Sequence, residues 1–582
     1  MTTYSLSLAH INDTHSHFDP NHVQFDIQLD DKLFEVYSHS GGAARIAYQV
    51  DKARALATAN QQPFLFLHGG DSFQGTLYFN QFKGKANAHL LNLLAPDAMV
   101  LGNHEIDAGN APVCDFLDNI QFPLLAGNMD LSAESPHKSH QLANHSNLYD
   151  FDATQGIAKY ILKPFHDKQL AIIGITLDQM KLIARPDEDT EFVDAIEATR
   201  NTIAHLHQQG IYHIIVLSHL GLIQDRVLAQ QVDGISLIVG GHSHSLQGDF
   251  QQLGLVATPY GEMHNHTPIV QAGKYAETIG LASMEFDAQG RITKLTGSNY
   301  FMLDKAFLAE SASGVSQHQH EHLAKIIAEH PNLLTDERCR KVQQVIDDHY
   351  RPAIDAMEHQ VLGFIPRNLV HTRLPSKALP HGSEIAPWIC KSIYHQVQRH
   401  HCKIDFVLHN AGGVRQSLNK GKLTLADVVG RILPFDLPLV KYRIKGTYLI
   451  EALESAINSA TNNSVTGTGA GSFPYTYGVR YFYDGRKPIG QRIVKVEVLS
   501  HQHTDNWLTI DPNHYYHGVS SAYTTSGKEG YAPLLQACWQ KTLDGVTLPS
   551  AFIAYMQEQH IDDVLSPQVN YQSHHQYNSH NE

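Results

Sequence analysis

The chain has 582 residues, which is too long for one hydrophobic core, so two to four domains are expected. Its 42% hydrophobic and 17% charged residues are ordinary for a globular protein. The net charge of −15 argues against a nucleic-acid polymer or an anionic membrane as the main partner, while a small anion can still bind in a locally positive pocket.

Residues 1 to about 310 alternate short apolar runs with helical patterns, which predicts a layered α/β domain. Two of its helices are predicted at 41–60 and 193–209. The predicted strands are YSLSLAHIND, FLFLHGGD, AMVLGNHE, FPLLAGNMD, LAIIGIT, HIIVLSHLG and ISLIVGGHS. Most of these runs close on Gly, Asp, Asn or His, and ligands of layered α/β sheets bind at this carboxyl edge of the strands.

The rest of the chain predicts a second domain with a different pattern. The polar stretch 311–335 resembles a boundary, and 337–360 is predicted as a linking helix with a kink or break at Pro352. Strands such as KIDFVLHN and helices such as KGTYLIEALESAINSA then alternate, which indicates an α+β domain. The predicted limits are 1–335 for the first domain, 336–362 for the linking helix, 363–565 for the second domain and 566–582 for a polar, frayed tail.

The cysteines and the N-terminus bear on the compartment. The five cysteines are scattered and lack CxxC spacing, which predicts free, mostly buried thiols. No apolar run is long enough to span a membrane, and the first residues lack the basic and apolar regions of a secretory signal. The protein is expected in the cytoplasm if Met1 is the natural start, and in the periplasm or outside the cell if a leader has been removed. The cysteines are Cys114, Cys339, Cys390, Cys402 and Cys538.

Polar residues follow five of the predicted strands in a compatible order. A single histidine means little among 40, and His10, His17 and His68 are interpreted as ordinary histidines. Imidazoles, two carboxylates and an amide at one edge suit two divalent cations better than one, and a shared carboxylate would hold them about 3.5–4 Å apart. The residues in this set are Asp13, His15, Asp71, Asn103, His104, His219, His242 and His244.

These motifs carry a family resemblance. NDTHSH, HGGDSFQG, LGNHEID, SHLG and GGHSHS resemble the ordered motifs of the calcineurin-like metallophosphoesterases and, more narrowly, of the two-domain 5′-nucleotidase family. HNAGGVRQSLNKGKLTLADVVGRILPFDLPLV resembles that family's C-terminal substrate domain. The resemblance covers about residues 5–545. It implies a four-layer α/β/β/α sandwich, a linking helix and an α+β substrate-binding domain.

The resemblance also implies two divalent ions, zinc, manganese or similar. His244 stands where the family often has Gln or Asn, and its imidazole favours zinc or another borderline ion. Asp71 is the shared ligand. One ion is expected on Asp13, His15, Asp71 and His244, and the other on Asp71, Asn103, His219 and His242.

The motif NHEID supplies the expected catalytic pair. His104 and Asp107 are three residues apart, so on a helical turn Asp107 can orient the imidazole and stabilise its charged form. The resemblance implies that His104 contacts the phosphoryl oxygens, while water activated by the ions attacks phosphorus in line with the leaving group. In the alternative interpretation, His104 is itself a metal ligand.

The second domain is expected to bind the nucleotide. The resemblance assigns Asn410 and Arg415 to contacts with base and phosphate, Phe435 and Tyr523 to stacking on the base, and Glu529 to the ribose hydroxyls. Both aromatic residues are open to a second interpretation as core residues. The sequence also departs from the family pattern at Leu437, at GKEG and in the upstream phosphate-binding arginines, for which Arg373 and Lys377 are candidates.

The sequence therefore predicts a 5′-nucleotidase that hydrolyses phosphate esters of small nucleotides. One alternative is a phosphodiesterase or pyrophosphatase acting on UDP-sugars, dinucleotides or 2′,3′-cyclic nucleotides. A different class is a non-catalytic nucleotide-binding or adhesion protein. The complete ligand set, together with His104 and Asp107, weighs against that class. The oligomeric state is left open.

Overall fold

The computed structural model describes residues 3–312, 314–335, 337–376, 378–400, 403–461, 469–500 and 506–558. The chain divides into two compact units between Pro352 and Ala353. This division falls inside the predicted linking helix, 336–362. The predicted tail, 566–582, lies outside the described residues. Every helix in the described part of the chain is too short or too polar to cross a lipid bilayer.

Two sheets form the centre of the first unit. In spatial order, the first consists of Leu333–Leu334, Ile292–Met302, Thr278–Phe286, Tyr4–Ile11, Phe64–His68, Ala98–Val100, Leu124–Leu125 and Leu148–Tyr149. The second consists of Tyr160–Phe165, Lys168–Ile175, His213–Ser218, Leu237–Val239, Thr267–Val270 and Glu262–His264. All seven strands predicted in the N-terminal half are present and confirm those predictions.

The two sheets pack face to face with helices on their outer sides. Leu8 and Val100 of the first sheet share a buried core with Ile172 and Leu217 of the second. Because strand side chains alternate, Ile173 and its like-facing neighbours turn outward onto the helices. This arrangement confirms the predicted α/β/β/α sandwich. The helices of this unit are Ala43–Ala59, Leu77–Phe82, Lys85–Leu94, Asn110–Asn119, Met180–Ile183, Ala195–Gln208, Leu222–Gln231, Gln317–Glu329 and Arg340–Val345.

Smaller elements complete this unit. Alternating apolar residues in 21–40 form a hairpin that was not predicted. The polar stretch 311–335 contains a helix, whose first turn is capped by Ser316 and which buries Leu323 and Ile327. The hairpin strands are Asn21–Leu29 and Lys32–Ser40, joined by Leu308–Glu310. Short pairs are Phe151–Asp152 with Ile157–Ala158, and Met129–Asp130 with Glu191–Phe192.

The predicted linking helix is continuous but irregular. Arg340–Val345 leads into a wider π-helical turn, Ile346–Tyr350, and then into the α-helix Arg351–His359. Pro352 has no N–H to donate to the carbonyl four residues earlier, and its ring needs extra room there. The wider turn just before Pro352 supplies that room and takes the place of a break.

The second unit is an α+β domain around a five-stranded sheet. In spatial order its strands are Pro474–Tyr477, Phe406–Asn410, Tyr515–Ser521, Pro438–Lys445 and Trp539–Thr547. Further strands are Val479–Tyr483, Ile493–Leu499 and Trp507–Thr509, and the pair Val361–Ile365 and Gly421–Thr424. The α-helices are Ala386–His400, Leu425–Asp427, Gly446–Thr461, Ala522–Thr525 and Leu548–Glu558.

The cysteines differ in part from the expectation. Cys114, Cys339, Cys390 and Cys538 are free thiols, as predicted. Only Cys390 among these four is buried, so the prediction of mostly buried thiols is wrong for the described residues. Cys402 lies outside them.

Candidate active site

The predicted ligands lie where the parallel strands of both sheets end. Tyr4–Ile11, Phe64–His68 and Ala98–Val100 run parallel and present their carboxyl ends at one edge. The second sheet does the same with His213–Ser218 and Leu237–Val239. The loops after these strands carry Asp13 and His15, Asp71, Asn103 and His104, His219, and His242 and His244.

One group of side chains gathers around Asp13. The Nε2 atoms of His15 and His244 are 3.1 Å apart. Oδ1 of Asp13 is 3.4 Å from Nε2 of His244 and 4.0 Å from Nε2 of His15. These three residues offer ligand atoms that all lie within 4.8 Å of one another, as a shared cation requires.

A second group gathers around Asp71. Oδ2 of Asp71 is 3.2 Å from Nε2 of His219. The side-chain oxygen of Asn103 is 3.3 Å from the same nitrogen and 2.9 Å from Nδ1 of His242. Asp71 belongs to this group and also to one with His15 and His104. The structure therefore brings together all seven residues predicted as metal ligands.

The backbone at these positions is unusual. Asp13, His15, Asp71, His242 and His244 all have positive φ, between 47° and 71°. Non-glycine residues rarely adopt this conformation, and such strain clusters at functional sites. Close packing adds to the constraint, because a Cβ on Gly102 would lie 2.1 Å from Oδ1 of Asp71.

Hydrogen bonds orient two of the imidazoles. Nδ1 of His219 is 2.7 Å from the carbonyl oxygen of Gly69, and Nδ1 of His15 is 3.1 Å from that of Phe73. A ring that donates through Nδ1 keeps Nε2 as its free acceptor, which is the form that binds a metal. The donor set of imidazoles, carboxylates and an amide, with Nε2 atoms facing one another, therefore fits divalent ions.

The site has a strong internal electrostatic field. Burial alone would raise the pKa of Asp71, but His219 and His104 hold that pKa well below its usual range. Burial alone would lower the pKa of His219, and the carboxylate of Asp71 instead raises it to about 9. At His15 burial prevails and lowers the pKa to about 3.

His104 and Asp107 form the expected pair. Nδ1 of His104 is 2.5 Å from Oδ2 of Asp107, and the backbone N–H of His104 donates to Oδ1 of Asp71 at 2.9 Å. Burial lowers the pKa of His104, but Asp71 and Asp107 outweigh this effect and raise it to about 10. The side chain of His104 is partly exposed, so its ring can reach a substrate.

Sequence reasoning missed Glu105, which is buried beside Asp71. Its Oε1 accepts the backbone N–H groups of Ser72 (2.6 Å) and Phe73 (3.0 Å). Its Oε2 accepts those of Asp71 (3.0 Å) and Gly102 (2.9 Å). One carboxylate thus ties together the two loops that carry Asp71 and Asn103. The only sequence signal was its place between His104 and Asp107.

In the second unit, three predicted substrate residues lie together. The side-chain amide of Asn410 is 3.4 Å from Oε2 of Glu529. Burial raises the pKa of Glu529, opposed by a hydrogen bond from Tyr523 and by the charges of Arg373 and Arg415. Glu529 also has positive φ, 50°. Polar groups and positive charge therefore meet at these loops.

The other predicted residues form a second contact in this unit. The guanidinium of Arg415 lies 5.6 Å from the centre of the Phe435 ring, within cation–π range. Phe435 and Tyr523 are both half-buried and belong to no part of the buried core. Lys377 lies outside the described residues.

The fold of the first unit, together with the candidate ligands at the carboxyl edge of its two sheets, defines a metallophosphoesterase. Two family models match: "Calcineurin-like phosphoesterase" over residues 6–246 and "5′-nucleotidase, C-terminal domain" over residues 373–536. Together they span more than half of the chain.

Similar proteins match nearly the full length. A "Probable 5′-nucleotidase" of Treponema pallidum is 29% identical, with 91% of this chain and 88% of that protein covered. An "NAD 5′-nucleotidase" of Haemophilus influenzae is 28% identical, with 97% and 92% covered. The crystal structure of a 5′-nucleotidase precursor from Thermus thermophilus superposes with a TM-score of 0.67 at 28% identity, with 95% and 96% covered.

The chain belongs to the two-domain 5′-nucleotidase family. It is a hydrolase of phosphoric ester bonds that uses divalent metal and acts on nucleotide phosphoesters. These findings confirm the family resemblance, the fold class and the general function that the sequence predicted.

Proposed function

We propose that the chain removes phosphate from nucleoside 5′-monophosphates at a site that holds two divalent ions. The observation that carries this proposal is the overlap of three ligand groups. The group around Asp13 and the group with His104 share His15, and the group with His104 and the group around His219 share Asp71. A single ion would not need a carboxylate that belongs to two groups. Zinc or manganese suits the mixed imidazole and oxygen donors.

The proposed ligands follow from the two groups. Asp13, His15 and His244 would hold one ion together with Asp71. Asn103, His219 and His242 would hold the other, again with Asp71. Ions bound there supply Lewis acidity, which generates a nucleophile from water at neutral pH and offsets negative charge on the phosphoryl group.

The chain's own residues would complete the chemistry. His104 carries positive charge because Asp71 and Asp107 stabilise it, and its exposed ring edge can donate to a phosphoryl oxygen. Asp107 acts through His104 by fixing its ring. The pair would therefore stabilise the charge that develops in the transition state.

Nucleotide recognition is assigned to the second unit. Half-buried aromatic rings stack on bases, and we assign this role to Phe435 and Tyr523. We assign Glu529 and Asn410 to the ribose hydroxyls and base edges, and Arg415 to phosphate. The support is the clustering of these side chains in the second unit.

A second candidate is hydrolysis of the pyrophosphate bond of a dinucleotide. The full-length similarity to the NAD 5′-nucleotidase of Haemophilus influenzae favours this candidate. It uses the same metal site and differs only in the leaving group. A nucleotide pocket without room for a second nucleoside would exclude it.

The test is a substrate panel with controlled metal. Metal-free protein is expected to be inactive, and adding zinc or manganese should restore phosphate release from AMP. NAD, a UDP-sugar and 2′,3′-cyclic AMP assayed in parallel would measure the alternatives by kcat/KM. Activity that survives exhaustive chelation would contradict the metal mechanism. A kcat/KM for NAD above that for AMP would replace the leading candidate by the second.

Truncating either aromatic residue tests base stacking. Phe435→Ala and Tyr523→Ala are each expected to lower kcat/KM for AMP about ten- to hundredfold, because stacking on a base is worth roughly 1–3 kcal/mol. Glycerol phosphate has no ring, so its hydrolysis should barely change.

The melting temperature serves as the control for these two variants. If Phe435 and Tyr523 were core residues, truncation would leave cavities, lower Tm and reduce both activities alike. Equal losses on AMP and glycerol phosphate with a lowered Tm would show packing in place of recognition.

A further inference from the structure

Asp225 lies outside every metal-binding motif, yet it is fully buried in the helix Leu222–Gln231. The hydroxyl of Ser218 donates to its Oδ1 at 2.5 Å, and the side-chain amide of Gln271 donates to its Oδ2 at 3.0 Å. A buried carboxylate is costly unless hydrogen bonds compensate it. Both donors also contact the segments that carry the proposed ligands.

The first donor connects Asp225 to His219. Ser218 is the last residue of its strand and directly precedes His219. Its hydroxyl oxygen also accepts the backbone N–H of Leu220 at 3.2 Å, on the other side of His219. The hydroxyl held by Asp225 thus fixes the backbone on both sides of this ligand.

The second donor connects Asp225 to the loop with His242 and His244. Nε2 of Gln271 also donates to the carbonyl oxygen of Gly241 at 3.2 Å. Oε1 of Gln271 accepts the hydroxyl of Ser243 at 2.9 Å, and Ser243 stands between the two histidines. Gln271 therefore contacts this loop at Gly241, just before His242, and at Ser243, between His242 and His244.

Close packing at Gly240 restrains this network. A Cβ on Gly240 would lie 2.3 Å from Oδ2 of Asp225 and 2.7 Å from Nε2 of Gln271. Both carboxyl oxygens of Asp225 act as acceptors, one from Ser218 and one from Nε2 of Gln271, so the N–H end of the Gln271 amide faces Asp225. That orientation turns the amide oxygen towards Ser243.

We propose that Asp225 is a positioning residue for His219, His242 and His244, acting through Ser218 and Gln271. This inference rests on the proposed function, in which these three histidines bind metal. Asp225 itself belongs to none of the three ligand groups. Its role is to hold two separate loops in register, so that their imidazoles converge.

Asp225→Asn tests the proposal with little change in shape. Whichever way the new amide turns, either Ser218 or Gln271 meets an N–H group in place of an acceptor. We expect the Kd for Zn²⁺ or Mn²⁺, titrated into the metal-free full chain, to rise about 10–100-fold, the usual effect of losing a partner behind a metal ligand. The Tm of the metal-free chain is recorded beside it.

A rescue separates positioning from general damage. Gln271→Glu places two carboxylates face to face and should weaken metal binding more than Asp225→Asn. In the double variant, which combines Asp225→Asn with Gln271→Glu, the amide at position 225 can donate to the carboxylate at position 271 and still accept the hydroxyl of Ser218. Metal affinity of the double variant should therefore recover at least about tenfold over Gln271→Glu, on the scale of such partner effects.

Thr202→Val is the matched control. Thr202 lies in the helix Ala195–Gln208, and its buried hydroxyl accepts the N–H of Ala158 at 2.8 Å, away from the ligand loops. This variant should lower Tm and leave the metal Kd unchanged.

The outcomes distinguish the inference from the proposed function. If the unaltered protein binds no divalent ion, the proposed function fails, and the inference fails with it. If it binds ions and Asp225→Asn keeps a Kd within about threefold, well below the usual partner effect, only the inference is overturned. The same holds if Thr202→Val weakens binding equally, or if the double variant shows no recovery.

Discussion

Replacing Asp71 by alanine is expected to remove both ions and to abolish hydrolysis. Asp71 lies in two of the three ligand groups, so its loss opens both proposed ion sites together. Removing one electrostatic group aimed at a transition state costs about 10²–10³ in turnover, and losing both ions should exceed that. Metal analysis of the purified variant and phosphate release from AMP measure the two effects.

Asp150→Ala is a suitable control for this variant. Asp150 is also a buried carboxylate, but it pairs with Lys159 away from the ligand loops. It should lower Tm and keep the ions. Two ions still bound to the Asp71→Ala protein would contradict the shared-ligand assignment, even if activity were lost.

His104→Ala should keep both ions and still bind AMP, yet lose about two to four orders of magnitude in kcat, as for a positioned electrostatic or acid–base group. The ring is held by Asp107 at 2.5 Å and carries positive charge that Asp71 and Asp107 stabilise. Single-turnover assays with saturating metal and direct binding of AMP would separate kcat from affinity.

Asp107→Asn is a milder variant for the same experiment. It removes the stabilising charge and leaves the imidazole in place, so it should cost less than His104→Ala. Near-normal kcat in His104→Ala would refute the catalytic role. Loss of one ion would show that His104 is a ligand, which its group with His15 and Asp71 makes a concrete alternative.

Much of this site could be predicted from the sequence, because its residues follow strands directly. Asp13, Asp71, Asn103 and His219 each come within three residues of a strand end, and parallel strands end at a common edge. The order of polar residues along the chain therefore translates into proximity without knowledge of the packing. The same holds for His104 and Asp107, which a single turn brings together.

The hairpin at 21–40 and the helix inside the polar stretch 311–335 show where the local sequence pattern did not predict the structure. Both bury only a narrow apolar side, against Phe250 and Phe301 among others. Short, mostly polar segments such as these are stabilised by tertiary contacts more than by propensity. Phe435 and Tyr523 illustrate the same limit, since only the fold decided that they are half-buried.

The sequence by itself determined the class of site, its candidate ligands and the order of the two domains, since each candidate ligand lies close along the chain to the end of a strand. Only the tertiary structure decided what holds the ligands in place. Glu105 accepts N–H groups of Ser72 and Phe73, more than 30 residues away, and Asp225, in the helix Leu222–Gln231, accepts from Gln271, 46 residues further along the chain. Such partners are set by how strands and loops pack, and a carboxylate in the sequence carries no mark of which distant donors it will accept.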